Sequence, residues 1–274
     1  ISDPPALLYV WGELEARDSY AIAIVGTRAC THYGQQAAHG LALELAAMGI
    51  TVVSGLARGI DGHAHRGALM GKGRTIAVLG TGLDQIYPPE HVSLAKKISE
   101  NGAVISEFPS SIPGLPRNFP IRNRIISGLS LGTVVVEAPT KSGALITARL
   151  ALEQGREVFA VPGNITNEAS RGPNQLIRQG AISVLSAQDI IKEVAPEIKG
   201  MMREDTIKKA TEAKLNLSPS ERKIYEVLTQ EPLHIDEITL STSLPQPEIA
   251  VGLFNLELKG LGKELPGKLF VRTL

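Results

Sequence analysis

Short apolar runs alternate with amphipathic helical stretches over most of this chain, from Ala21 to about Val194. Strands that are buried on both faces are apolar almost throughout, and six runs of four or five residues fit that description: Ala21–Val25, Thr51–Ser54, Thr75–Leu79, Ala103–Ser106, Thr133–Glu137 and Val158–Val161. Alanine and leucine recur at helical spacing in the segments between them, which include Gln35–Met48, Val92–Asn101 and Ala144–Gln154. This alternation predicts βαβ units and a doubly wound α/β domain with a mostly parallel sheet.

The composition changes near Pro196. Residues 196–216 are rich in Lys and Glu and predict a linker. Beyond them, three helical patterns follow, at Pro219–Thr229, Ile235–Thr239 and Pro247–Lys259. An apolar strand comes last, at Leu269–Val271. Three helices followed by a hairpin are the order of a winged helix. We therefore expect an α/β domain over residues 1–195, the linker over 196–216 and a small winged-helix domain over 217–274.

Overall charge gives the protein no general attraction for polyanions. The 274 residues carry 28 Lys and Arg against 28 Asp and Glu, so any anion site must come from local arrangement. One cysteine, Cys30, excludes an intrachain disulfide framework, and no apolar run has the length of a membrane span. We expect a cytoplasmic protein without membrane association. Its start at Ile1 rather than Met fits a fragment that lacks an upstream segment.

Glycine-rich loops follow three of the predicted strands, at the sheet edge where open parallel sheets bind their ligands. The first is Gly26-Thr27-Arg28, the second contains Gly55, Arg58 and Gly59, and the third is Gly80-Thr81-Gly82. Glycine lets the backbone approach a phosphate, while arginine and the N–H groups at a helix start attract anions. The alternative is a pair of tight turns whose glycines serve backbone geometry alone. Two such loops that each carry an arginine favour an anion site.

A basic stretch lies between Phe108 and Leu152, where five bases stand against one acid, Glu137. The bases are Arg117, Arg122, Arg124, Lys141 and Arg149. Lys141-Ser142-Gly143 also follows a strand and begins a helix, which adds N–H and hydroxyl donors around a cation. This stretch predicts a surface for a phosphodiester backbone. The alternative is a solvated helix start whose arginines pair with acids elsewhere.

Catalytic and metal-binding arrangements are weaker. The loops have neither the dinucleotide fingerprint nor the Walker A pattern, which disfavours ATP hydrolysis. His63 and His65 follow Asp61, but positions i and i+2 of a helix point about 200° apart, which disfavours a shared metal ion. Glu137 suits either a general base or a structural carboxylate that binds neighbouring N–H groups. No catalytic constellation stands out, and we expect no metal and no cofactor.

Several motifs resemble one known family. In order along the chain they are IVGTR at 24–28, SGLARGID at 54–61, FPIRNRII at 119–126, KSGALITA at 141–148 and VPG at 161–163. They closely resemble the DNA-processing protein A family (DprA/Smf), and the resemblance extends from about Pro4 to Val194. It implies an extended Rossmann-like domain that binds single-stranded DNA, forms a homodimer and loads the RecA recombinase during natural transformation. It implies no catalytic reaction, and members commonly carry a further N-terminal helical domain.

The resemblance also implies roles for individual residues. Arg58 and Lys141 would flank the phosphates, and the loop donors would be Thr27, Arg28, Gly55, Gly59, Ser142 and Gly143. Two roles stay open for Arg122, Asn123 and Arg124: contact with DNA, or holding the pocket together. Ala144 departs from the family, which often has Ser there. A dimer or recombinase surface is expected at Leu176, Ile177, Ile182 and Val184, with ordinary core packing as the alternative.

Few aromatic residues are available for stacking on bases. They make up 4% of the chain, and Phe108 and Phe119 are the nearby rings in the basic stretch. A stacking platform of the usual kind is therefore not expected, and binding should depend strongly on salt with weak sequence preference.

The charges of the winged-helix domain argue against a second DNA site. Residues 215–274 contain eight acids and six bases, and the expected recognition helix offers Glu248 and Glu257 against Lys259. A helix that enters the major groove should be basic. We predict a protein-contact or regulatory module.

Two competing functions remain. Gly132–Glu137 echoes the loop of Rossmann-like nucleotide phosphoribohydrolases, although the preceding Gly-Gly is lacking and the Glu lies one residue too far along. A nucleotide-sensing protein would use the same loops for one phosphate. The basic stretch favours the polymer.

Overall fold

Eight strands form one sheet in the first part of the chain. They are β1 (Tyr9–Gly12), β2 (Ala21–Val25), β3 (Thr51–Ser54), β4 (Thr75–Leu79), β5 (Gly102–Ser106), β6 (Gly132–Val135), β7 (Glu157–Ala160) and β8 (Ile182–Ser183). The order across the sheet is β1-β5-β4-β3-β2-β6-β7-β8. β2 to β8 run parallel, whereas β1 is antiparallel to β5. The computed structural model describes residues 1–196, 217–229 and 231–273 of the protein.

Helices connect the parallel strands and cover both faces of the sheet. They are α1 (His32–Ala47), α2 (Ile60–Met70), α3 (Val92–Glu100), α4 (Asn118–Gly128), α5 (Gly143–Glu153), α6 (Arg171–Arg178) and α7, described over residues 187–196. All residues of β2 to β6 are buried, which is why these strands are apolar almost throughout. The predicted doubly wound, Rossmann-like α/β fold is confirmed.

Of the two outer strands, β1 was not predicted, and β8 was not among the six apolar runs. β1 lies at a sheet edge and leaves most of its side chains exposed, Val10 and Trp11 among them, so it lacks the continuous apolar signal of a buried strand. β8 has two residues, Ile182 and Ser183, which is too short for any period to register.

The direction of winding reverses between β2 and β6. β2 pairs with β3 on one side and with β6 on the other, and Val25 lies opposite Val135 near the carboxyl ends of that second pair. From β2 the chain proceeds outward to β5, and from β6 it proceeds outward to β8. Such a switch point opens a crevice beyond the carboxyl ends of the strands. The loops after β2 and β6 border this crevice.

The second part of the chain has the helix and strand order of a winged helix. Its elements are α8 (Pro219–Val227), β9 (Leu233–His234), α9 (Ile235–Thr242), α10 (Gln246–Leu258), β10 (Gly262–Leu265) and β11 (Leu269–Arg272). The three strands pair in the order β10-β11-β9, and the helices share their own apolar core. The predicted winged-helix fold is confirmed.

Contacts divide the chain into two units, Ile1–Ala195 and Pro196–Leu274. The linker predicted over 196–216 lies outside the described residues from 197 onward. None of the helices in the described ranges combines the length and apolarity that crossing a bilayer requires.

Candidate nucleic-acid interface

A pocket of about 560 Å³ lies at the switch point of the sheet. It is lined by the loop after β2, the first turns of α4 and the loop that leads into α5. Seven of the eleven predicted DNA-binding residues line it: Thr27, Arg28, Arg122, Asn123, Lys141, Ser142 and Gly143. The remaining four, Gly55, Arg58, Gly59 and Arg124, are not among the lining residues. Segments more than 90 residues apart in sequence thus meet at one site.

The N-terminus of α5 borders the pocket and supplies anion-attracting groups. Ser142 is the N-cap of this helix, and its Oγ accepts a hydrogen bond from the N–H of Ala144 at 3.3 Å. Gly143 begins the helix, and two N–H groups of its first turn, those of Ala144 and Leu145, bond to the side chain and the carbonyl of Ser142. Lys141 is exposed on the rim beside them. A helix N-terminus with an adjacent cation favours a phosphate.

Arg122 lines the pocket and is buried, with 4% of its surface exposed. Its Nη1 donates to the carbonyl oxygen of Gly55 at 2.7 Å and also to that of Val78. Burial lowers the pKa of Arg122 to about 10, and the charge of Asp61 opposes this shift, so the guanidinium stays charged at neutral pH. These bonds tie the ends of β3 and β4 together, which is the holding role that the sequence left open.

Asn123 and Asp61 also hold the walls of the pocket. The side-chain amide of Asn123 donates to the carbonyl of Gly143 at 3.4 Å and joins α4 to α5. Asp61 accepts hydrogen bonds from the N–H groups of Gly55 and Ala57, at 3.1 and 3.3 Å. Burial raises the pKa of Asp61, while Arg122 and these N–H groups oppose the rise. The carboxylate and guanidinium compensate each other's burial.

Two aromatic rings meet at the pocket. The ring centroids of Tyr87 and Phe119 are 5.7 Å apart, and Cζ of Arg28 lies 5.3 Å from the Phe119 centroid. Tyr87 is 39% exposed. Sequence reasoning considered Phe108 and Phe119 but missed Tyr87, which comes from the loop after β4. That loop begins with Gly80 at the same sheet edge, and this was the signal that could have identified it.

Glu137 is fully buried and joins β6 to the start of α1. One carboxylate oxygen accepts the N–H of Thr31 at 2.8 Å, and the other accepts its hydroxyl at 2.6 Å. Thr31 is the N-cap of α1, and the carbonyl of Glu137 accepts the N–H of Thr27 at 2.7 Å. Of the two roles left open for this residue, the observed bonds are those of the structural carboxylate.

The second glycine-rich loop supports the first. Gly59 has a φ of +71°, a conformation that residues with a Cβ rarely adopt, and a Cβ there would collide with the carbonyl groups of Thr27 and Arg28. The N–H of Ile60 donates to the Thr27 carbonyl at 3.3 Å. Gly59 therefore positions the pocket loop from behind.

Known proteins of one family are similar to this chain. The family model described as DNA recombination-mediator protein A matches residues 1–195, and the DprA winged helix domain matches residues 208–268. The chain belongs to the DNA recombination-mediator protein A family. It is 44% identical over 269 residues to Protein Smf of Escherichia coli, covering 97% of this chain and 71% of that protein. It is 47% identical over 195 residues to the DNA processing protein DprA of Bacillus subtilis, covering 71% and 66%.

Two solved structures of DprA proteins resemble the chain. The X-ray structure of DNA processing protein A from Streptococcus pneumoniae aligns with a TM-score of 0.66 at 43% identity, covering 69% of this chain and 66% of that one. A structure described as giving the single-stranded DNA binding mode of the Helicobacter pylori protein aligns with a TM-score of 0.65 at 34% identity, covering 72% and 90%.

Arg58 in this DprA-family chain lies outside the pocket lining and is engaged by an acid. Its Nε donates to one carboxylate oxygen of Glu90, and its Nη2 lies 3.2 Å from the other. The Arg58 guanidinium lowers the pKa of Glu90 to about 2. Both side chains are about half exposed, so water competes with this pair and it can exchange.

Arg124 likewise lies outside the pocket lining and is paired with acids. Its Nη1 is 2.7 Å from Oε1 of Glu107, and its Nε is 2.9 Å from Oδ2 of Asp3. Arg149 pairs with Glu153 at 3.4 Å. Arg124 and Arg149 are therefore paired with acids, which is the alternative that the sequence offered. The basic stretch consequently has fewer unpaired positive charges at the surface than its composition indicates.

His63 and His65 have separate surroundings. His65 is buried, with its Nδ1 2.7 Å from Oγ1 of Thr75, whereas His63 lies partly exposed on the other side of α2. Burial, together with the charges of His91 and Arg66, lowers the pKa of His65 to about 3. Within the described part of the chain, no three His, Cys, Asp or Glu side chains group as they would around a metal ion.

The four residues expected at a dimer or recombinase surface divide between core and surface. Val184 is 1% exposed and belongs to the core, and Leu176 packs against the main core cluster. Ile177 and Ile182 are half-buried. Leu185, which sequence reasoning missed, is 83% exposed just after the β8 edge.

Proposed function

We propose that this protein binds single-stranded DNA through the switch-point pocket and acts without catalysing a reaction. The observation that carries the proposal is the convergence of Arg28, Lys141 and the N-terminus of α5 on one pocket, in a protein with no net charge. These are the donors that a phosphate needs. The Helicobacter pylori relative, described as binding single-stranded DNA, supports the assignment.

The shape and the lining of the pocket favour a strand over a duplex. Tyr87 and Phe119 offer apolar ring surface next to the cations, and an unpaired base can pack against such rings. Bases in a duplex are already stacked and cannot enter a pocket without unpairing. We therefore expect one nucleotide to be held more closely than its neighbours.

A phosphoribohydrolase activity fits the site less well. The carboxylate that would act as the base, Glu137, is buried, bonds to Thr31 and is not among the residues that line the pocket. The family description as a recombination mediator also supports a binding role.

Fluorescence anisotropy with a labelled oligo-dT strand and a matching duplex, across a salt series, tests the proposal. We expect a preference for the single strand, with log K falling by about 0.7 per contacted phosphate for each tenfold rise in salt. Arg28→Ala and Lys141→Ala should each weaken binding about tenfold or more. Lys97→Ala is the matched control, because Lys97 lies in the last turn of α3, at the opposite edge of the sheet.

Competition with nucleoside monophosphates separates the strand from a single nucleotide. If AMP or UMP displaced the oligonucleotide at micromolar concentration, or if neither nucleic acid bound at low salt, the nucleotide-sensing function would replace this one. Release of a free base from either nucleotide would contradict the non-catalytic role.

We further infer that the protein forms a homodimer through the β8 edge and loads the RecA recombinase during natural transformation. The family description as a recombination mediator supports the recombinase role, and Ile177, Ile182 and Leu185 offer apolar surface for a dimer at this edge. Light scattering should show the mass of Leu185→Arg fall to that of one chain. An unchanged mass would exclude this surface.

RecA assembly on protein-coated oligo-dT should be faster with the wild type than with Lys141→Ala.

A further inference from the structure

The third helix of the winged-helix unit, α10, has an apolar outer face. Val251, Phe254 and Leu258 are 61%, 61% and 72% exposed, and their spacing places them on one side of the helix. The opposite side supplies the unit's core through Ile249, Gly252, Leu253 and Leu256. A helix at the surface of a domain normally turns polar residues outward. α10 is instead apolar on both sides.

This outer face is not part of the unit's own packing. The core cluster is built from α8, α9, α10 and the hairpin, and it excludes Val251, Phe254 and Leu258. Contiguous exposed apolar side chains are characteristic of surfaces that bind another protein. We call these three residues the α10 stripe.

Acidic residues flank the α10 stripe on both sides. At about 100° per residue, Glu248 and Glu257 lie roughly 90° to either side of its midline. Both are exposed, and Ser220 donates a hydrogen bond to Glu248. The sequence of α10 contains no Lys or Arg. In a DNA-binding winged helix, the corresponding helix enters the major groove. Here that helix presents carboxylates, which repel phosphates, and apolar groups, which do not bind them.

The same acids favour a basic partner over a second copy of this chain. Two α10 helices that packed through their stripes would place four carboxylates along one apolar seam, and the nearest base, Lys259, is bonded to Glu221. A helix with Lys or Arg beside its apolar residues would instead be complementary. We propose that the α10 stripe docks an amphipathic helix of a partner protein, with basic residues flanking the partner's apolar face.

Two labelled peptides test this with the full chain. The first is an 18-residue designed helix with leucine along one face and lysine on both flanks, and the second has glutamate in place of lysine. We expect the lysine peptide to bind at least tenfold more tightly than the glutamate peptide in fluorescence anisotropy. Phe254→Ser should weaken its binding at least tenfold. Leu240→Ser is the matched control, since Leu240 is 82% exposed on α9 of the same unit, and it should change binding less than twofold.

Reversing the charge of the flanking acids gives a second test that does not depend on Phe254→Ser. Glu248→Lys combined with Glu257→Lys leaves the α10 stripe intact and should reverse the preference between the two peptides. The proposal is overturned if the lysine peptide fails to bind or binds Phe254→Ser as well as the wild type. A lower mass of Phe254→Ser than of wild type in sedimentation velocity would place a second copy on the stripe. Loss of duplex DNA binding in that variant would place DNA there. Either result also overturns the proposal.

Discussion

The switch-point pocket of the Rossmann-like unit and the α10 stripe of the winged-helix unit are both positions where their folds often bind nucleic acid. Their side chains differ completely. The pocket gathers Arg28, Lys141 and a helix N-terminus, whereas the stripe presents Val251, Phe254 and Leu258 between acids. A fold supplies the position of a site, and the residues there decide what it binds.

Arg122 and Lys141, both in the pocket lining, differ in their burial and in their partners. Arg122 is buried in the pocket lining with its Nη1 bonded to two backbone carbonyls, while Lys141 is exposed on the rim. Sequence alone groups the two as bases of one stretch. The difference can be tested, because a holding residue should affect folding and a binding residue should affect affinity.

The largest expected effect is on folding, from Arg122→Met. This variant leaves the Asp61 carboxylate buried without its counter-charge and the carbonyls of Gly55 and Val78 without a donor. We expect the free energy of unfolding to fall by about 3–5 kcal/mol. Urea unfolding followed by the fluorescence of Trp11, the single tryptophan of the chain, reports this for the Rossmann-like unit.

The exposed Arg66 of α2 provides the control. Arg66→Met should change the unfolding free energy by less than about 0.5 kcal/mol. If Arg122→Met unfolded like the wild type and yet lost DNA binding, Arg122 would be a DNA ligand rather than a holding residue.

The second expected effect is a pH dependence that distinguishes the two units. His65 has a pKa of about 3 in the folded chain and 6.5 in the unfolded chain. Between these two values the unfolded chain binds a proton at His65 and the folded chain does not. Stability from this group is complete above pH 6.5 and is lost as the pH falls toward 3. We expect a loss of about 2 kcal/mol between pH 6.5 and 5, read from Trp11.

The winged-helix unit responds at lower pH. Burial alone would raise the pKa of Glu221, but the hydrogen bond from Lys259 Nζ, at 2.7 Å, holds it below 4.5. The contribution of Glu221 to the free energy of unfolding is therefore retained until the pH falls to about 4.5. His65→Gln should flatten the earlier loss, and an undiminished slope in this variant would assign that loss to another group.

The third expected effect is on affinity. Lys141→Ala should weaken oligo-dT binding about tenfold, or about 1.4 kcal/mol, and reduce the salt slope by about 0.7. The unfolding free energy should stay within about 0.5 kcal/mol of the wild type, because Lys141 is exposed. A lower affinity with an unchanged salt slope would mean that Lys141 does not contact a phosphate.

The smallest expected effect comes from Glu90→Gln. This change releases Arg58 from its ion pair and makes the guanidinium available to a phosphate. Affinity for oligo-dT should rise about twofold to fivefold, and the gain should vanish in the double variant with Arg58→Ala. A gain that persisted in the double variant would reflect only the loss of negative charge near the pocket.

Much of the fold could be predicted from continuous apolar runs. Buried parallel strands such as β2 and β4 exclude polar side chains along their whole length, and that signal is local in sequence. The edge strand β1 gave no such signal because its side chains meet water. The buried central strands could therefore be predicted from the sequence, whereas the exposed edge strand could not.

The site was predictable by position and less so by role. Gly-rich loops at strand ends indicated which segments meet, but the partners of Arg58, Arg124 and Glu137 are Glu90, Glu107 and Thr31, which lie 17 to 106 residues away. Pairing at such separations depends on the path of loops that no local pattern records. Tyr87 reached the pocket for the same reason.

The bond between Thr31 and Glu137 spans 106 residues and joins the two halves of the pocket. During synthesis the first half emerges well before the second. A nascent or truncated chain that ends before β6 therefore displays the early glycine-rich loops without Lys141, without the start of α5 and without the carboxylate that anchors α1. We expect such a product to bind DNA weakly, because the donors of the proposed site are complete only after Gly143 has been translated.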